Sequence, residues 1–192
     1  MFNEKANSAD GATATFVANT GLQQRTSAGG VFHVQCIDAD GNLKWETKEH
    51  NLVVNQGLQD MNAKYFKGSG YTAAWYLGLV TGPSSGTAFA AADTLASHAG
   101  WTEYTDYSGN RKAVTFGTAT TADPSVIDNT ASAASFTISG AGGTVAGAFL
   151  CTVSSGTSGV LFSEADFQSP GDRVVVSGDT LNVTYTFSLD AA

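Results

Sequence analysis

Arg173-Val174-Val175-Val176-Ser177-Gly178-Asp179-Thr180-Leu181-Asn182-Val183-Thr184-Tyr185-Thr186-Phe187-Ser188-Leu189 carries the strongest structural signal in the chain. From Leu181 the alternation is strict. Leu181, Val183, Tyr185, Phe187 and Leu189 share one face, and Asn182, Thr184, Thr186 and Ser188 share the other. A period of two in β-branched and aromatic residues specifies a half-buried strand. Ser177-Gly178-Asp179 is turn chemistry, so the run 174–176 either enters an adjacent strand or bends into the same one. The polar face carries hydroxyls and an amide but no charge. It suits either a solvated face or one covered by other chains.

The same pattern of short strands and Gly/Ser turns runs back through the chain. Residues 160–162, 144–153, 134–138 and 112–116 read as strands, and 139–143 and 154–159 as turns. Residues 74–80 are nearly all apolar, which predicts a central strand covered on both faces. Between these groups, 82–109 is irregular. Within it, 89–97 predicts one short helix, and Trp101, Tyr104 and Tyr107 follow in a loop.

Residues 55–66 predict the main helix. Asn55 is placed to cap it, Leu58, Met61 and Tyr65 recur at helical spacing, Lys64 and Lys67 suit its C-terminal end, and Gly68 suits its stop. Upstream, 31–37 and 43–48 form two strands around the loop 38–42, and 51–54 is a further extended run. The expected fold is therefore mainly β: an antiparallel β-sandwich, jelly-roll or immunoglobulin-like, with one short helix. It occupies residues 31–192, and residues 1–30 form an extended N-terminal arm that closes in the linker-like 26–30.

Composition bounds the function. The chain has 192 residues, 42% hydrophobic but only 14% charged, against roughly 25% charged in ordinary soluble domains. Gly, Ala, Ser and Thr fill the difference, which favours packing against neighbours, including further copies of the chain. The net charge of −8 argues against nucleic-acid binding, which needs a basic footprint. A run of about 18 apolar residues is missing, so no membrane helix is expected. Met1-Phe2-Asn3-Glu4-Lys5 does not open a secretory signal, so synthesis is expected in the cytoplasm. Cys36 and Cys151 are either two buried free thiols or a disulfide formed after release from the cell.

No pattern points to catalysis. His33, His50 and His98 lack ligand spacing, and the nucleophile elbow Gly-x-Ser-x-Gly is absent. Asp38, Asp40, Asn42 and Glu49 match some calcium-loop positions, but Leu43 stands where that loop needs Gly, so a plain β-turn is the better reading. The expectation is no enzyme activity, no metal and no cofactor. The candidate partner-binding residues are of two kinds. Phe2, Phe16, Val17 and Leu22 are isolated apolar anchors in the arm. The arm is too poor in apolar residues to fold alone, so it is expected to order against a neighbouring subunit, adding a strand to its sheet. Trp101, Tyr104 and Tyr107 either stack a glycan or cover an open sheet edge.

Three stretches carry a resemblance: Trp75-Tyr76-Leu77-Gly78-Leu79-Val80, then 93–103 with Arg111-Lys112-Ala113-Val114, then the ending 177–187. Over roughly residues 31–192 the chain resembles structural proteins of tailed bacteriophages. The resemblance implies a virion protein, made in the host cytoplasm and built into the particle. Its partners would be the major capsid protein or other virion proteins. Among virion roles, the arm and the neutral sandwich suit a capsid cement or decoration protein packing between major capsid subunits. A tail, neck or fibre component and a host-glycan-binding module are the alternatives.

Overall fold

The structure, a computed structural model, describes residues 26–71, 73–81, 88–168 and 171–191. In chain order the elements are β1 (Thr26–Ile37), β2 (Leu43–His50), β3 (Leu52–Val53), α1 (Asn55–Lys67), β4 (Trp75–Thr81), β5 (Thr102–Tyr104), β6 (Lys112–Val114), β7 (Ser125–Asp128), β8 (Ala134–Thr137), β9 (Gly143–Cys151), β10 (Leu161–Asp166), β11 (Arg173–Val175) and β12 (Thr180–Ala191). Two antiparallel sheets pack together as a β-sandwich with one helix. One sheet has the order β2-β1-β12-β7, with β8 also on β12. The other has the order β3-β10-β9-β4-β5, with β11 on β9 and β6 on β4.

The alternation in β12 builds the first sheet. β1 and β12 pair along their whole length, from Thr26 opposite Ala191 to Ile37 opposite Thr180. Phe32, Val34 and Cys36 of β1 and Leu181, Val183 and Tyr185 of β12 are fully buried between the sheets. Thr26–Gly30, expected to be linker, are instead the first part of β1. Their small side chains carry no strand signal; the pairing comes from β12. Gly30 is needed there, because a Cβ at this position would lie 2.8 Å from the Tyr185 hydroxyl and 2.6 Å from the Thr186 carbonyl oxygen.

β7 and β8 share one edge of β12 and leave a gap between them. The Asn129 side chain fills it. Its Oδ1 accepts from the Tyr185 backbone N–H at 2.6 Å, and its Nδ2 donates to the Val183 carbonyl at 3.4 Å. A buried side-chain amide thus supplies the hydrogen bonds a strand would have made.

The second sheet is buried on both faces, as the apolar run in β4 predicts. Leu77, Leu79, Ala148 and Leu150 face the first sheet. Val80, Ala146, Phe149 and Cys151 face a second apolar cluster with Leu95 and Trp101 on the outer side. The Phe149 ring lies over Gly78, where a Cβ would come within 2.2 Å of it. The outer cover is the segment 88–104. Residues 89–97 are turns rather than the expected helix, closed by a Thr94–Ser97 bridge and by the Asp93 carboxylate, which accepts from the Ala90 N–H at 3.2 Å. β5 lies within the stretch expected to be a loop, and β7 was not anticipated.

The turn 177–179 switches the chain between sheets, since β11 pairs with β9 and β12 with β1. Gly178 takes φ 91°, and buried Asp179 holds the corner. Its carboxylate accepts from the Val176 N–H at 2.9 Å and from Lys44 Nζ, and its carbonyl accepts from the Ile138 N–H at 2.8 Å.

α1 covers β10. Its N-cap is Val54, without a side-chain cap, so Asn55 does not play the expected role. Gly57 lets the helix approach the strand: a Cβ there would lie 2.4 Å from the Phe162 carbonyl oxygen. Gly68 ends it in the left-handed conformation, as expected.

Buried Arg111 ties three segments together. It donates to both Glu103 carboxylate oxygens, at 2.8 and 2.7 Å, and to the carbonyls of Val153 and Gly156, at 3.3 and 3.0 Å. Removing one partner of a buried pair costs about 3–5 kcal/mol. Arg111→Ala should lose stability in that range in urea unfolding, and more than Glu103→Gln. A loss under about 1 kcal/mol, typical of a surface pair, would contradict this role.

Candidate functional site

The candidate surface is the C-terminal half of α1 with the cleft beside it. Helical spacing places Leu58, Met61 and Tyr65 on one stripe, expected to face the core. Only Met61 packs against it. Leu58 is exposed, Tyr65 is 84% exposed and Phe66 76%. The Tyr65 and Phe66 rings meet edge to face with centroids 5.0 Å apart. Lys64 pairs with Asp60 and lies over the Tyr71 ring at 4.9 Å, and half-exposed Tyr71 accepts from Trp75 Nε1 at 3.0 Å.

Trp75 leads into an apolar cleft between the sheets. Its volume is about 170 Å³, and its walls include Met61, Trp75, Phe116, Ile127, Phe162 and Phe187. The rings interlock edge to face: Trp75 stands 5.2 Å from Phe162 and 6.5 Å from Phe116, and Phe162 stands 5.4 Å from Phe187. At the cleft floor the Tyr185 hydroxyl accepts from Asn51 Nδ2 at 2.8 Å and Ser163 Oγ at 3.2 Å. The interior therefore presents apolar surface and no free charge.

Phe2, Phe16, Val17 and Leu22 are outside the described residues. Trp101, Tyr104 and Tyr107 are only 5–6% exposed, so none offers the open face that a stacked sugar needs. Trp101 stacks on His98 at 3.8 Å, packs on Phe149 at 5.1 Å and donates from Nε1 to Asp93 at 3.2 Å. Tyr107 meets the Phe136 ring edge to face at 4.8 Å. Trp101 belongs to the outer cluster on the second sheet, and Tyr104 and Tyr107 belong to the core between the sheets. Sequence reasoning missed both: Phe66 stands about 100° round the helix from the stripe of Leu58, Met61 and Tyr65, which is a signal of exposure, but Tyr65 lies on that stripe and carried none.

The remaining chemical candidates are used internally. The Asp38 carboxylate accepts from the Asn42 N–H at 2.8 Å and the Asp40 N–H at 3.0 Å, which closes the hairpin loop and holds its carboxyl below the ordinary range. Among the described residues, no group of three His, Cys, Asp or Glu side chains could hold a metal ion. Cys36 and Cys151 are buried and free. Burial, ahead of the Asp179 charge, pushes the Cys36 thiol up to about 12, far from a reactive thiolate. No described helix is long and apolar enough to cross a membrane.

No family model, no curated protein and no solved structure matches the chain.

One buried acid has a measurable consequence. Glu164 on β10 is fully buried, and among the described residues neither carboxylate oxygen has a hydrogen-bond partner of good geometry: the neighbouring Trp101 Nε1–H and Ala90 N–H are given to Asp93. Burial first, and then the Asp93 charge, pushes its carboxyl up from 4.5 to about 8. The folded chain therefore keeps a proton that the unfolded chain releases above about pH 4.5. Its stabilising contribution is complete below that pH and is lost as pH rises through about 8. The melting temperature should fall from pH 5 to pH 8, and Glu164→Gln should flatten that slope. Parallel profiles for the two proteins would refute the assignment.

Proposed function

We propose that this chain is a non-enzymatic structural protein of a virus particle, a capsid cement or decoration protein that packs between major capsid subunits. The observation that carries the reading is the exposed Tyr65–Phe66 pair at the end of α1. Aromatic side chains are enriched at the buried centres of protein interfaces, where a few of them dominate the binding energy. Two such rings standing in water are anchors awaiting a partner. The low charge of the chain, 14%, supports the same reading, since charged residues are depleted at interface cores. The phage setting rests on the resemblance of residues 75–80, 93–103, 111–114 and 177–187 to tailed-bacteriophage structural proteins. A place in the tail, neck or fibre is the second reading, with the same anchors meeting a different partner.

The chain is read as non-enzymatic because three of the polar groupings among the described residues are committed to internal bonds. Asp93 with Trp101, Arg111 with Glu103 and Asp179 with Lys44 all close turns or join strands.

Electron microscopy of particles made with and without the gene for this chain tests the setting. Density missing from the shell supports the cement role, density missing from the tail moves it there, and unchanged particles overturn both. The anchors are tested separately. The double variant Tyr65→Ser/Phe66→Ser should melt within about 0.5 kcal/mol of the parent in stability, as exposed substitutions do. It should bind particles at least about 30-fold more weakly, the equivalent of one anchor worth 2 kcal/mol. Undiminished binding would remove α1 from the interface.

A further inference from the structure

The cleft has room for one more aromatic ring, and the chain enters the structure beside it. Apolar cavities of about 150 Å³ stay dry and accept benzene. The cleft, at about 170 Å³ with walls of Met61, Trp75, Phe116, Ile127, Phe162 and Phe187, has the size and the apolar lining to take a phenyl group. Phe187 faces Gly30 across the β1–β12 ladder, and Thr26, where residues 1–25 join the sandwich, pairs with Ala191 at the end of the same ladder. The entry point is thus four residues of strand, about 13 Å, from the level of the cleft.

We propose that the cleft is the seat of Phe16 of the same chain. The argument is one of reach, size and charge. Ten residues separate Phe16 from Thr26, a span of up to about 33 Å, which lets the chain turn back and enter the cleft with slack. Leu22 is only four residues from Thr26, and its span of about 13 Å is used up in reaching the level of Phe187. Phe2 is 24 residues away, and a longer tether lowers the effective concentration of its ring. Val17 lacks the ring that the space fits. Ala14-Thr15-Phe16-Val17-Ala18-Asn19 carries no charge, so it crosses the apolar rim at Tyr71 and Trp75 without desolvating an ion. This differs from an arm given wholly to a neighbour, because the ring would be seated on its own sandwich. The tether supplies the effective concentration that a separate ring would lack.

Met61 reports on the cleft, and Met1 is the only other methionine. The experiment follows peroxide oxidation of both thioethers by mass spectrometry in the isolated full-length chain. With Phe16 seated, Met61 is shielded. Phe16→Ala should oxidise Met61 several-fold faster, with the Met1 rate unchanged and the melting temperature lower by a few degrees, as loss of a seated ring requires, and Leu22→Ala should match the parent. The parent should also show a nuclear Overhauser contact between the Phe16 ring and the Met61 methyl group at every protein concentration. Equal Met61 rates in the parent and Phe16→Ala overturn the proposal. Shielding that disappears on dilution, together with a fall in molecular mass, also overturns it by assigning the ring to a second copy. The readout uses the isolated chain and leaves Tyr65 and Phe66 untouched, so its failure is distinct from failure of the assembly role.

Discussion

Tyr185 is the contact on which the two sheets depend. Its ring packs on Phe32 at 4.6 Å within the first sheet, and its hydroxyl takes hydrogen bonds from Asn51, at the crossing between sheets, and from Ser163 of the second. An aromatic ring brings a large apolar area into the core, and a buried hydroxyl must find partners there. Gly30 answers the first requirement by clearing space, and Asn51 and Ser163 answer the second. The same residue's backbone N–H is held by Asn129, so β12 is fixed from its ring, its hydroxyl and its amide.

A sheet buried on both faces needs cover on its outer side. Here that cover is the segment 88–104, which places Leu95 and Trp101 over Phe149. The cover brings polar groups with it. Asp93 binds the Trp101 indole and the Ala90 N–H, while Glu164 lies beneath with no well-formed hydrogen bond among the described residues. Burial pushes its carboxyl up, so the outer cover lies over a group whose charge the fold disfavours.

The two apolar features left over differ in kind. The Tyr65–Phe66 pair projects into water from a helix end and suits a flat partner. The cleft is concave, ring-lined and small, and suits a single side chain. Trp75 of the cleft wall donates to Tyr71, whose ring lies under Lys64 of the helix.

The sequence by itself determined the β-sandwich class, most of its strands, the helix and its stop at Gly68. Those signals are local: strict alternation in 181–189, an unbroken apolar run in 74–80, and Gly where φ must be positive. Tertiary structure alone decided that Thr26–Gly30 are strand, because their small side chains have no pattern and take their register from β12. It also decided that 89–97 are turns, since Leu95 and Trp101 are fixed over Phe149 and Asp93 is drawn to the Trp101 indole, so what the segment covers sets its shape. The candidate site divides in the same way. The position of Phe66, off the stripe of Leu58, Met61 and Tyr65, was legible, but the exposure of Tyr65 on that stripe was not. The burial of Trp101, Tyr104 and Tyr107 was not, because whether a ring docks a partner or seals its own sheet depends on what lies across from it, and Phe149 and Phe136 are distant in sequence.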